Sequence, residues 1–297
     1  MIDHVLCLVG GSLSQPKIDS LQAVLSARGI SISGSDWLSA NYALDIYVEV
    51  PIGLEIRPVV QDVRRALPKV DVALVPMDNR RKSLMMADMD STLITSESIV
   101  EVGKAAGVEQ KIAFMTGQAM GGRIDFTQAL LDRVRLVSGT PIKIVEELGQ
   151  QVELSPGAEI LCATMKRNGA RIVMVSGGFT SVAEPVAKRL KLDNFVANEF
   201  AVADGRLTGG LKLPIVDSTM KAEVLVGEAE ELDLEVSQIL AVGDGANDLP
   251  MIEAAGLGVA YKGKSVVQAA ADAAINHTDL TTLLYFQGYR EHELVKT

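Results

Sequence analysis

Leu84-Met85-Met86-Ala87 runs directly into Asp88-Met89-Asp90-Ser91-Thr92. A short apolar run of this kind predicts a strand buried on both faces, which means a parallel sheet with helices packed above and below it. Such sheets gather ligand chemistry at the carboxyl ends of their strands, where the loops begin. Two acids one residue apart at that end therefore constrain the fold and point to a place where it could work. Taken alone the signal is weak: a lone D-x-D is most simply a βα turn, with Ser91 or Thr92 capping the next helix.

At 297 residues and 48% apolar content the chain can build two domains of ordinary size, or one large one, around a substantial core. A formal charge of −10 argues against nucleic acid as a partner, because phosphate-backbone binding is built on Lys and Arg. It is compatible with a small anionic substrate, where local charge matters more than the total. Cys7 and Cys162 are the only cysteines and have no partner spacing, which argues against a disulfide framework or a zinc site and suits a reducing cytoplasm. No apolar stretch approaches membrane-spanning length, and the start lacks the basic head of a signal peptide. The expectation is a soluble cytoplasmic protein with no membrane partner.

The first eighty residues read as strands at 4–10, 30–38, 43–50 and 70–76, with helical spacing at 16–27 and 56–67. That βαββαβ order over 1–80 predicts a small α+β domain of the split-βαβ, ferredoxin-like kind. Gly10-Gly11-Ser12 is a turn signal without the spacing of a nucleotide-binding loop. Asn79-Arg80-Arg81-Lys82 reads as a polar linker, with a phosphate-binding patch as the weaker alternative.

A second domain, 83–297, opens with the Asp88 strand. Residues 96–138 are helical in pattern, and Asp125 can cap a helix whose apolar stripe is Phe126, Leu130, Val134 and Val137. Thr140-Pro141 starts a short helix closed by Gly149, and Ser155-Pro156 starts one ending at Asn168-Gly169. A buried strand at 171–176 follows, then a helix, then a small β-hairpin at about 196–212 turning on Asp204-Gly205. A helix at 220–232, a strand at 239–243, a helix at 247–255 and two short αβ steps complete the alternation. The fold class expected is α/β, a doubly wound parallel sheet.

Four polar clusters sit at strand or helix ends of this domain: Asp88/Asp90, Ser176-Gly177-Gly178, Lys221, and Asp244-Gly245-Ala246-Asn247-Asp248. Each has a bland reading, as a turn, a cap or a solvated side chain. Four in order, each at its proper element end, are specific, because parallel strands deliver their carboxyl ends to one edge. Carboxylates with little imidazole favour a hard cation, most naturally Mg²⁺, and with Lys221 and the Ser176 hydroxyl they would hold a phosphoryl group. A Ser-His-Asp hydrolase is unsupported: His4, His277 and His292 fall outside every cluster, and no G-x-S-x-G occurs.

These motifs, from Asp88-Met89-Asp90-Ser91-Thr92 through Ser176 and Lys221 to Gly243-Asp244-Gly245-Ala246-Asn247-Asp248, resemble the four motifs of the haloacid dehalogenase (HAD)-like phosphohydrolases. The helical excursion at about 98–150 resembles that superfamily's helical cap. Within it the chain is most similar to the phosphoserine phosphatases, over roughly 83–290. Glu97 matches a glutamate that follows their first motif, and Met120, Phe126 and Arg133 match a Met, Phe and Arg pattern in their cap. Met89 stands where many relatives have Phe. Residues 1–80 resemble, by pattern, the ACT-like domains fused to some of these enzymes.

The resemblance implies Mg²⁺-dependent hydrolysis of O-phospho-L-serine to L-serine and phosphate, the last step of serine biosynthesis, through an aspartyl-phosphate. Asp88 would be nucleophile, and Asp90 acid and then base. The cation would be held by Asp88, Asp244 and the backbone carbonyl of Asp90. Ser176, Gly177, Lys221 and Asn247 would bind the phosphoryl group, with Asp248 orienting Lys221 or a metal-bound water. Glu97 would meet the substrate ammonium and Arg133 its carboxylate, which a guanidinium fork suits, with Met120 and Phe126 as an apolar wall. The N-terminal domain would bind serine or another amino acid, pair subunits as a homodimer, or merely pack. Two rivals are a phosphatase or phosphotransferase for another small phosphate monoester, and an amino-acid-sensing protein with a decayed catalytic half. Glu97 with Arg133 argues against the first, and intact Asp88, Asp90, Lys221 and Asp244 against the second.

Overall fold

In the computed structural model, which describes residues 1–11 and 13–296, the Leu84–Ala87 strand lies inside a ten-stranded sheet and is fully buried. Ser12 of the Gly10-Gly11-Ser12 turn lies outside the described residues, as does Thr297. The chain begins β1 (Ile2–Val9), α1 (Gln15–Ser26), β2 (Ser31–Ser39), β3 (Ala43–Val50), α2 (Ile56–Ala66), β4 (Asp71–Pro76), so the βαββαβ order is present. Its four strands are antiparallel in the order β2-β3-β1-β4. Period-2 alternation turns Leu6, Leu8, Ile46 and Val48 toward one face, where Leu21 and Leu25 of α1 and Val59, Val60 and Val63 of α2 cover them.

The remainder runs β5 (Leu84–Ala87), a cap of α3 (Ser98–Ala105), α4 (Glu109–Met120), α5 (Phe126–Leu136) and α6 (Ile142–Gln151), then α7 (Ala158–Arg167), β6 (Arg171–Phe179), α8 (Thr180–Leu190) and β7 (Asn194–Asn198). After these come β8 (Phe200–Ala203), β9 (Arg206–Leu211), α9 (Ser218–Glu231), β10 (Ile239–Gly243), α10 (Leu249–Ala254), β11 (Leu257–Tyr261), α11 (Ser265–Ala270), β12 (Ala273–Ile275) and α12 (Thr282–Phe286). Strands β12-β11-β10-β5-β6-β7 are parallel neighbours. The chain grows from β5 to β6 and β7 on one side, then returns to β10 on the other. The switch point thus falls between β5 and β10, where a crevice opens at the strand ends.

The cap encloses its own apolar core, including Ile99, Val102, Ile112, Leu130, Val134 and Val145, and packs on Phe179 and Phe200. Its root is a narrow two-chain neck, with Thr95 N–H donating to Glu153 O at 3.0 Å and Ser155 N–H to Leu93 O at 2.9 Å. Asp125 caps α5 through Gln128 N–H, as its position suggested. Gly149 does not close α6. The helix continues to Gln151, and a Cβ at Gly149 would stand 2.2 Å from Ser181 O, so glycine there permits close packing on α8. The hairpin turns at Asp204-Gly205 as expected, but it starts at Phe200, because residues up to Asn198 pair in the main sheet as β7.

In the basic run at 79–82, Asn79 and Arg81 are exposed as a linker's residues would be, but Arg80 and Lys82 turn inward. Strand β4 meets β12 antiparallel at Val72↔Ala274, so one sheet crosses from the N-terminal strands into the parallel ones. Arg80 forks onto buried Asp45 at 2.6 and 2.7 Å and donates to the carbonyls of Tyr285 and Phe286. Lys82 Nζ donates to Asn79 O and Ser237 O. Asp71 accepts from the N–H groups of Asn276, His277 and Thr278. Removing one partner of a buried pair such as Arg80–Asp45 leaves an uncompensated charge, which costs about 3–5 kcal/mol.

Candidate active site

Strand β5 ends at Ala87 and delivers Asp88 to the switch point, its N–H donating to Val242 O of neighbouring β10. The chain then makes a tight turn over Met89–Leu93, with Ser91 in the left-handed region at φ 56° and no side-chain cap. Ser91 therefore does not cap a helix; its hydroxyl donates to Glu97 Oε1 at 2.6 Å. Met89 is buried in the core beneath the acids.

Helix α9 supplies Lys221 from its first turn, which Asp217 caps. Lys221 is completely buried, and its Nζ donates to Asp88 Oδ1 at 2.7 Å and Asp248 Oδ1 at 2.6 Å. Burial alone would lower its pKa, but the charges of Asp248 and Asp88 reverse this and leave it raised. Asp248 Oδ2 accepts from the N–H groups of Asp244 and Gly245, both at 3.0 Å, which ties the turn after β10 around its own acid. A Cβ at Gly243 would lie 2.4 Å from Asp248 Cγ, so glycine is needed for that approach.

Asp88, Asp244 and Asp248 each offer an oxygen, all within 4.8 Å of one another, and Asp244 Oδ1 is buried with no hydrogen-bond partner. Burial and neighbouring carboxylates raise the pKa of Asp244, and burial with the Asp248 charge raises that of Asp88 to about 7. An orphaned oxygen among crowded, desolvated acids fits a hard divalent cation, which would satisfy the one and favour the ionised form of the others. Asp90 is not one of the three carboxylates of this group. Its carboxylate faces away, accepting from Ser98 N–H at 3.2 Å and Ser98 Oγ–H at 2.7 Å. Burial, then the charges of Glu97 and Asp88, hold the Asp90 pKa well above the usual carboxylate range.

A narrow cavity with about 20 Å³ of free space, about enough for one water, separates sheet and cap. Asp88, Asp90, Ser176, Gly177 and Asn247 line it from below, and Glu97, Met120, Phe126 and Arg133 from the cap side. Strand β6 continues past Ser176 to Phe179, so Gly177-Gly178 is bulged strand rather than a helix-entry turn. Gly177 must lack a side chain because the Phe126 ring lies on it, with Cζ 2.5 Å from an added Cβ. The Ser176 hydroxyl accepts from Gly178 N–H at 2.9 Å, leaving its proton to donate elsewhere. Asn247 Oδ1 is buried without a partner. Arg133 is 3% exposed, its Nε donating to Ala129 O at 3.0 Å and Nη1 to Thr116 Oγ1 at 2.8 Å.

The candidate site residues singled out from the sequence are thus brought to one place, Lys221, Asp244 and Asp248 gathered on Asp88 and the others around the cavity. His4, His277 and His292 are not: the first lies in β1, and the other two are exposed near the C-terminus. Sequence reasoning missed Ser98, which grips Asp90, and Thr116, which grips Arg133. Neither carries a local signal, since each meets its partner only through the fold.

A strand-end carboxylate backed by a buried lysine, beside an acid cluster that could hold a cation and under a helical cap, defines a hydrolase site for phosphoryl-bearing anions. The chain belongs to the haloacid dehalogenase-like hydrolases, whose family model matches residues 85–253, and among them to the phosphoserine phosphatase family. It is 34% identical to the phosphoserine phosphatase of Saccharomyces cerevisiae, over 98% of this chain and 97% of that protein. It is 39% identical to that of Streptomyces coelicolor, over 95% of this chain and 70% of that protein. A solved phosphoserine phosphatase described as a phospho-aspartyl intermediate analogue superposes with a TM-score of 0.67 at 35% identity, covering 69% of this chain and 99% of that one. Among the described residues, no helix is long and apolar enough to cross a membrane.

Proposed function

We propose that this chain hydrolyses phosphoserine to serine and phosphate through an aspartyl-phosphate on Asp88. The observation that carries this reading is the meeting, around one cavity, of Asp88 on Lys221 with Glu97 and Arg133 opposite. A phosphate monoester is a dianion, and an anionic nucleophile can approach it only where charge is neutralised. Asp88, Asp244 and the backbone carbonyl of Asp90 would hold Mg²⁺, which supplies that neutralisation when bound. The Asp88 carboxylate attacks phosphorus in line and the serine oxygen leaves. Asp90, whose raised pKa keeps a proton available, protonates that oxygen, then takes a proton from the water that cleaves the acyl phosphate. Lys221 and Ser176 bind the equatorial phosphoryl oxygens with Gly177 and Asn247, and Asp248 fixes Lys221.

Glu97 takes the substrate ammonium and Arg133 the carboxylate, against the wall of Met120 and Phe126. In this reading α3–α6 open and close on the neck at 94–95 and 153–155, the two segments that join them to the rest of the chain. Closure then excludes bulk water. The same reading treats residues 1–80 as an ACT-like unit, joined to 83–297 through the shared sheet, that binds an amino acid or pairs subunits as a homodimer. It also assigns the enzyme to serine biosynthesis in a reducing cytoplasm, which the free, buried Cys7 and Cys162 support.

The test is phosphate release from a panel of phosphorylated amino acids, phosphoethanolamine and sugar phosphates, with and without Mg²⁺. Phosphoserine should lead the panel, EDTA should abolish release, and added Mg²⁺ should restore it. Full turnover in EDTA, or a sugar phosphate in first place, would refute the reading.

A further inference from the structure

Arg133 is the one cation on the cap side of the cavity among the described residues; its guanidinium donates two hydrogen bonds to the protein and lies over the Phe126 ring, 5.9 Å from its centroid. Nε–H is spent on Ala129 O, one turn back on the same helix, which fixes the plane of the group but not its rotation. Nη1 is fixed by Thr116 Oγ1 at 2.8 Å, from a different helix, α4. Of the five N–H groups three remain for a ligand. A buried threonine in a helix commonly returns its hydroxyl to its own carbonyl one turn back. Here Thr116, 5% exposed, accepts across the interface between α4 and α5 instead. The same helix ends at Met120, whose Cε lies 2.4 Å from where a Cβ on Gly245 would be, against the turn that carries Asp244. Thr116 therefore links the orientation of Arg133 to a helix that rests directly on the catalytic turn.

We infer that Thr116 is a positioning residue for substrate choice: it presents the free edge of the Arg133 guanidinium to the α-carboxylate, so that monoesters with that carboxylate are preferred over those without it. This rests on the proposed phosphoserine activity and adds to it a residue that touches no substrate. Fork geometry is what makes a guanidinium selective for carboxylate, and a fork turned out of plane keeps its charge but loses one of two parallel bonds.

The test compares phosphoserine with phosphoethanolamine, which keeps the ammonium and the phosphate ester but lacks the carboxylate. Thr116→Val preserves shape and removes the acceptor. It should raise KM for phosphoserine about tenfold, the scale of one hydrogen bond to a charged group, with kcat within about twofold. Turnover of phosphoethanolamine should stay within about twofold of wild type, which also reports correct folding. Thr116→Ser should restore the phosphoserine KM. Equal losses on both substrates, or an unchanged phosphoserine KM, would overturn the positioning role. Arg133→Ala separates this from the underlying reading. If it too leaves the preference for phosphoserine over phosphoethanolamine intact, the carboxylate assignment itself is wrong. If it erases that preference while Thr116→Val does not alter it, only the role of Thr116 fails.

Discussion

Asp88 looks toward Lys221 and the Asp244–Asp248 turn, whereas Asp90, two positions on, looks toward Ser98 and half-buried Glu97. The first acid has a buried ammonium at 2.7 Å and two further carboxylates near enough to share a cation. The second has two neutral donors, both from Ser98, and among the described residues no cation within hydrogen-bonding distance. Burial raises the pKa of both; at Asp88 the charge of Asp248 adds to this and Lys221 pulls against it, while at Asp90 the charges of Glu97 and Asp88 add to it and only Ser98 pulls against it. One position is faced by a cation that favours its ionised form, the other by a carboxylate that favours its proton. Two groups of the same chemistry are thereby assigned opposite work by what faces them.

The largest test of this contrast is Asp88→Asn. The amide keeps the shape and can still meet Lys221, but it is no nucleophile, so phosphate release from phosphoserine should fall by about 10³-fold or more. Mass spectrometry under quenched turnover should find no acid-labile phosphate on the variant, and release near the wild-type rate would remove Asp88 from the chemistry. Asp90→Asn should cost less, about 10²-fold on phosphoserine, where an alkoxide must be protonated. On a nitrophenyl phosphate, whose leaving group departs without a proton, formation of the aspartyl-phosphate should be nearly unaffected in a single-turnover burst. Equal damage to the burst with both substrates would make the two acids alike and break the comparison.

The two neighbourhoods were not equally legible. The Asp88 side could be read because each member follows a strong periodic signal: an apolar strand before Asp88, another before Asp244, and a capped helix start before Lys221. The Asp90 side could not, because its partner Ser98 lies past a left-handed turn at Ser91 that no propensity anticipates in a serine. The same limit explains the N-terminal seam. Arg80 and Lys82 carry the composition of a linker, and only tertiary packing, with Asp45 and the Ser237 carbonyl waiting for them, makes them interior residues. Gly149 reads as punctuation from residue type, while its reason is the close approach of Ser181 from elsewhere in the chain, and the approach of Phe126 to Gly177 is equally invisible in the sequence.

The smallest effect, and the sharpest for the contrast, belongs to Ser98→Ala. The Ser98 hydroxyl and N–H donate to the ionised form of Asp90 and so pull its pKa down, against burial and the charges of Glu97 and Asp88. Removing the hydroxyl withdraws part of that pull, and the pKa of Asp90 should rise further. Asp90 must be protonated for the first step, so kcat/KM declines as pH climbs through its pKa, and in Ser98→Ala that alkaline limb should move to higher pH. The second step needs the carboxylate as base, so hydrolysis of the aspartyl-phosphate should slow at neutral pH and kcat should fall by up to about tenfold. Ser98→Thr keeps the donor and should return both the limb and kcat toward wild type. A profile measured on phosphoserine that does not move in Ser98→Ala would mean that Ser98 only fills space beside Asp90, and that burial and Glu97 alone set the proton on the second acid.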